Sequence, residues 1–235
     1  MNIKEQTEIN REVLSKLMIT VNDPVKEDWI NYIRNSNYDN NPLSKPNLFR
    51  LSLTNKMYEL EQDGRIPFHM TITYLNYVDK MNKDNPYTYQ ERDINRFFIN
   101  FYTKKFLPFL LNTKNIHTNI KKSIQPISYC FVDEHEMTPV KSIVFNENTK
   151  FVQETFMFPV RLHHHCILSV HPETLERMES LVGENTLVKY EFSPKFMTTD
   201  LKKCESMRLL YSSKMLRKYP DFLSFPDSLK RHRKI

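Results

Sequence analysis

Two glycines, Gly64 and Gly183, are all that this chain of 235 residues carries. Loops that wrap a phosphate in bare backbone need glycines at fixed spacing. Neither G-x-x-x-x-G-K-[ST] nor G-x-G-x-x-G can be built here, which excludes a nucleoside-triphosphate cradle of those kinds. G-x-S-x-G and H-E-x-x-H are also missing. Order must therefore come from the apolar pattern, and 40% apolar residues with 16 Phe and 12 Tyr are enough for a core.

Phe68, Met70, Ile72 and Tyr74 alternate with His69, Thr71 and Thr73, a period of two that predicts a strand. Ile94, Phe97, Phe98 and Phe101 recur at helical spacing behind Glu91 and Asp93, acids that suit a first helical turn. Pro108 is expected to kink or end that helix. "SIQPISYCFVDEHE" reads as a second strand, residues 141–157 as a polar excursion, and "VRLHHHCILSV" as a third strand. "HPETLERMESLVG" follows as a short helix, with Pro172 near its start and Gly183 past its end. "TTDLKKCESMRLLYSSKMLRKYP" predicts a long helix capped near Thr199 or Asp200 and stopped by Pro220. This order predicts an α+β fold over residues 61–220: an antiparallel sheet with helices on one face, of the split-βαβ kind. Residues 1–60 read as a mainly helical N-terminal extension joined through "NSNYDNNPLSKPN", and 221–235 as a basic tail.

The net charge of +6 leans toward a polyanionic partner. Cys130, Cys166 and Cys204 are far apart, lie in apolar stretches and make no C-x-x-C pair, as expected of reduced, buried thiols. The N-terminus has no apolar signal region, and no window approaches the ~18 apolar residues of a membrane span. The expectation is a soluble protein of the cytoplasm with no membrane partner.

Strand geometry sorts the histidines. Val160, Leu162, His164, Cys166, Leu168 and Val170 share one face, and Arg161, His163, His165, Ile167 and Ser169 the other. His164 is expected to be structural, buried against helices with its ring nitrogens hydrogen-bonded. His163 and His165 stand side by side, where two imidazoles can share one metal ion. A carboxylate is the expected third ligand. Asp133 and His135 lie on one face of the second strand and Glu134 on the other; Glu154 is a further candidate. Two imidazoles and a carboxylate suit Mg²⁺ or Mn²⁺ acting on phosphate as well as Zn²⁺.

Tyr211 and Lys214, three residues apart in "YSSK", emerge together on one face of a helix. With "FHMTITY" ahead of the paired histidines and "YSSK" after them, the chain resembles the HUH endonucleases. Within that superfamily it is similar to the single-tyrosine initiators (Rep proteins) of rolling-circle replication, over about residues 66–219. The middle residue of the triplet, apolar in the family, is His164 here.

The resemblance implies a site-specific enzyme that nicks and rejoins single-stranded DNA at a replication origin. Tyr211 would be the nucleophile, forming a 5′-phosphotyrosine, and Lys214 would support the developing charge. His163, His165 and, by position, Glu134 would hold a divalent ion, Mg²⁺ or Mn²⁺. Thr71 and Thr73, on the polar face of the first strand, are expected to contact the DNA. Lacking a P-loop, such an initiator depends on a helicase and a polymerase from the host. A single-tyrosine transposase and a non-catalytic DNA-binding regulator are the alternatives.

Overall fold

The period-two segment does form a strand, and it becomes one of the two central strands of a sheet. The computed structural model describes residues 15, 20–35, 44–74, 91–116, 118–135, 140–144, 152–156, 161–214, 216, 218 and 222–226. In chain order, α1 (Asp23–Asn35) and α2 (Lys45–Gln62) precede β1 (Ile66–Tyr74). Next come α3 (Glu91–Phe101), a π-helical turn (Tyr102–Phe106), α4 (Leu107–Leu111) and α5 (Asn119–Ile124). β2 (Ile127–His135), β3 (Val140–Val144), β4 (Val152–Phe156) and β5 (Arg161–Val170) follow. After a 3₁₀ turn (Pro172–Thr174), the remaining elements are α6 (Leu175–Glu179), β6 (Gly183–Glu184), α7 (Thr186–Lys189), β7 (Phe196–Lys203), α8 (Arg208–Ser212) and β8 (Leu223–Phe225).

The sheet has the order β6-β7-β1-β5-β2-β8, with every described pairing antiparallel. β3 and β4 form a separate two-stranded ribbon within the predicted polar excursion. The class is thus α+β, as expected, but helices cover both faces of the sheet and not one. On the first face Phe68, Met70, Ile72, Cys130, Val132, Cys166 and Leu168 pack against Ile94, Phe98, Phe101, Phe106 and Leu110. On the second, Tyr129, Phe131 and Ile167 pack against Leu53 and Met57 of α2 and Leu209 of α8. Residues 45–62, read as part of an extension, therefore roof the sheet. Among the described residues, no helix is long and apolar enough to cross a membrane.

The predicted long helix over 198–220 does not form. Its first part is β7, whose Phe196, Thr199 and Leu201 are buried. β1 would otherwise be an edge with a row of unpaired N–H and C=O groups, and pairing it outweighs the weak helical preference of Thr-Thr-Asp. Among the described residues of that stretch, only Arg208–Ser212, around Tyr211, is helical. Pro108 is accommodated differently from a break. The Leu107 N–H reaches back five residues to the Tyr102 carbonyl, and this wider turn takes up the missing donor and the ring. The helix then ends at Asn112 in the left-handed region, φ 48°.

His164 sits as expected on the first face. Its Nε2 lies 2.8 Å from Asn95 Oδ1 and its Nδ1 2.7 Å from the Tyr74 hydroxyl, so Nε2–H donates to the amide and Nδ1 accepts from the phenol. Burial, then the charges of His163 and His165, push its pKa down to about 3. A histidine neutral in the fold but protonated when unfolded makes the unfolded state the proton binder below its ordinary pKa. Stability then falls with pH, by up to about 1.4 kcal/mol per pH unit for this group between about 6.5 and 3. Urea unfolding from pH 5 to 7.5 with EDTA should show this slope, and His164→Gln should lower it by one proton; an unchanged slope would refute the assignment.

Candidate active site

The second face of the sheet brings together residues that the sequence scatters. β2 and β5 pair with Asp133 opposite His163, and β5 carries His165 two residues on, so alternation points all three side chains the same way. Asp133 Oδ2 lies 3.2 Å from His165 Nε2 and 3.7 Å from His163 Nε2, and the two Nε2 atoms are 3.2 Å apart. Atoms so spaced lie on a circle of about 2.0 Å radius, the length of a bond from imidazole or carboxylate to a divalent transition ion. Asp133 is 1%, His163 0% and His165 6% exposed. Asp133 Oδ1 accepts the Glu134 N–H at 2.8 Å, while Oδ2 accepts no aligned hydrogen bond among the described residues. Donor chemistry and spacing fit a cation, and the cluster could hold a metal ion.

Charge supports the same reading. Burial alone would raise the Asp133 pKa. His165, Lys214, the Glu134 N–H and His163 outweigh it and hold the carboxyl well below the usual carboxylate range. The group is an anion at any physiological pH.

Behind His165 stand two side chains of β1 that no local sequence pattern ties to it. Its Nδ1 lies 3.2 Å from His69 Nε2 and 3.1 Å from Thr71 Oγ1. A histidine that gives its Nε2 lone pair to an ion must carry its proton on Nδ1, where these two acceptors wait. Burial, followed by His165, Arg208 and Lys202, pushes His69 down to about 3, so it is neutral and able to accept. Thr71, expected on DNA, is therefore engaged with His165; Thr73 lies half-buried opposite His163. His69→Leu should weaken Mn²⁺ binding by about 10- to 100-fold, and His69→Gln should restore part of it, as read by calorimetric titration. Equal affinities in all three proteins would remove His69 from the site.

Tyr211 and Lys214 meet the cluster from α8 and the turn after it. Lys214 Nζ is 2.9 Å from Asp133 Oδ2 and 4.7 Å from the Tyr211 ring centre. Burial would lower the lysine's pKa, but Asp133 and Tyr211 raise it above its ordinary value. The Tyr211 ring lies 5.8 Å from that of His165, and the guanidinium of Arg208 is 4.2 Å from its centre. Tyr211 is 40% exposed, at the mouth of an otherwise buried cluster.

The acid at the histidines is Asp133, not Glu134. Glu134 follows the pleat to the other face, and its carboxylate pairs with Lys218. The side chains of His135 and Glu154, the other acid-strand and upstream candidates, lie outside the described ones. What selects Asp133 is the register of β2 on β5, set by pairings all along both strands and by no local motif.

Compared with protein family models, with curated proteins and with solved structures, the chain matches none. The functional reading therefore rests on the geometry above.

Proposed function

We propose that this protein is a single-tyrosine, HUH-type enzyme that nicks and rejoins single-stranded DNA to initiate rolling-circle replication. The observation that carries the reading is convergence. Asp133, the histidine pair and the Tyr211–Lys214 pair come from three separate segments, yet Lys214 touches Asp133 and Tyr211 stacks edge-on against His165. The topology supports it too. The four long strands lie in the order fourth–first–third–second, with helices after the first and third, as a split-βαβ sheet requires.

Tyrosine is a weak nucleophile at neutral pH because its pKa is near 10. Lys214 beside the ring favours the phenolate, and its raised pKa keeps it cationic. Arg208, which makes no ion pair among the described residues, presents a guanidinium where the DNA phosphate would approach. A divalent cation on Asp133, His163 and His165, Mn²⁺ or Mg²⁺, would supply Lewis-acid polarisation of a phosphodiester oxygen. Attack of the Tyr211 oxygen on phosphorus forms a 5′-phosphotyrosine and expels the 3′-oxygen, which takes up a proton. The resulting 3′-OH primes a host polymerase while a host helicase opens the duplex. Because the ester retains the energy of the broken bond, reversal reseals the strand. Thr71, beside His165, and Thr73 are the candidates for DNA contact on β1.

The test is a denaturing gel of the full chain incubated with a pool of end-labelled, random single-stranded DNA and Mn²⁺. A DNA-linked protein band that disappears with EDTA is expected. Retarded DNA on a native gel without any adduct or cleavage would favour the binding-protein reading.

A further inference from the structure

We infer that the N-terminal helical layer is a positioning device for the tyrosine, with Arg50 as its central contact; this rests on the nucleophile assignment above. Arg50, in α2, is 4% exposed, yet no carboxylate pairs with it among the described residues. Its fork instead ties the segment that carries Tyr211 to α1 and α2. Nη2 donates to the Leu210 carbonyl and to the Tyr32 hydroxyl, Nε donates to Ser213 Oγ at 3.0 Å, and Nη1 donates to Asn47 at 3.1 Å. The last carbonyls of a helix have no intrahelical partner. In α8 the Leu209 carbonyl takes the Ser213 N–H and the Tyr211 carbonyl takes the Lys214 N–H; the Leu210 carbonyl between them takes Arg50 Nη2 and, at a longer 3.4 Å, the Ser213 hydroxyl.

A second contact holds the other end of the segment. Glu61, also in α2, accepts the Ser206 N–H at 3.2 Å. Packing agrees with the hydrogen bonds. Leu209 enters the cluster with Met57 and Phe131, while Leu210 enters the one with Val25, Trp29 and Leu51. Neighbours 209 and 210 are thus sunk between α1, α2 and the sheet, which leaves Tyr211 facing the mouth of the site. A helix of five residues cannot hold itself in place. The three residues that could hold the ion sit on paired β2 and β5, so their own placement does not depend on the 206–214 segment, which reaches them through Lys214 on Asp133 and the Tyr211 ring on His165. Arg50 therefore governs where the nucleophile stands and not whether the ion binds.

The experiment compares the full chain with Arg50→Met and with the milder Ser213→Ala, which removes the Nε acceptor together with the Ser213 hydroxyl's own bonds to the Leu209 and Leu210 carbonyls. Three quantities are read: the rate of adduct formation on the labelled DNA pool with Mn²⁺, the Kd for Mn²⁺ alone, and hydrogen exchange by peptide. In Arg50→Met, adduct formation should fall by about 100-fold, the loss a misplacement of about 1 Å can cause. Mn²⁺ affinity should stay within twofold. Exchange should quicken in the peptide covering 206–214 and stay constant in β1 and β5. Ser213→Ala should show the same pattern, weaker. An unchanged adduct rate, or exchange that quickens throughout the sheet, overturns the proposal. If the wild type forms no adduct, the nucleophile assignment has failed, and exchange in 206–214 still decides whether Arg50 holds the segment.

Discussion

Tyr211→Phe is expected to abolish both the covalent adduct and strand cleavage, by about 10⁴-fold or more, as loss of a nucleophile does. The variant isolates chemistry from structure because the ring does the packing and the hydroxyl does not. Arg208 stacks on the ring, Lys214 lies over it, and His165 meets it edge-on; phenylalanine keeps all three contacts. Tyr211 is 40% exposed, and Lys214, which its hydroxyl meets, keeps Asp133 as a partner in the variant, so stability should shift by no more than about 1 kcal/mol. Mn²⁺ binding should not change, since Tyr211 is not among the three residues that could hold the ion. Thermal unfolding, metal titration and the denaturing gel are to be run on the same preparation. Cleavage that persists in a folded, metal-binding Tyr211→Phe would place the nucleophile elsewhere.

The parts of this site that depend on local pattern were legible in the sequence. Period-two alternation put His163 and His165 on one face of a strand and His164 on the other, and the structure has His164 hydrogen-bonded in the core. Tyr211 and Lys214 were legible by spacing even though the long helix expected to carry them is a five-residue turn of helix behind a strand. What escaped is non-local. Asp133 could be told from Glu134 only by knowing which residue of β2 faces His163. β7 looked helical because its reason for being extended is the open edge of β1, more than 120 residues earlier in the chain. The role of α2 escaped likewise: Arg50 reads as a surface charge until its partners at 210 and 213 are seen. His69 carried a signal, an imidazole in register with the threonines of β1, but no spacing rule ties it to His165 across the sheet.

Asp133→Asn against Glu134→Gln turns that register into a measurement. The neutral amide is a poor cation ligand, so Asp133→Asn should lose more Mn²⁺ affinity than the roughly 100-fold that loss of a supporting partner costs, and should form no adduct. Glu134→Gln gives up an ion pair with an exposed lysine, worth at most about 1 kcal/mol, and should bind Mn²⁺ within twofold of wild type. Acid dependence separates the two further. The Asp133 carboxyl is depressed in the fold, so its contribution is complete above its unfolded pKa of about 3.9 and is lost as pH falls through the lower folded value. Asp133→Asn should therefore flatten the metal-free stability profile below about pH 4, while leaving the histidine-driven slope above it intact. The reverse ranking, with Glu134→Gln losing the ion and Asp133→Asn keeping it, would mean that β2 is one residue out of register against the histidine strand. The anion held between His163, His165 and Lys214 would then have to be reassigned along with it.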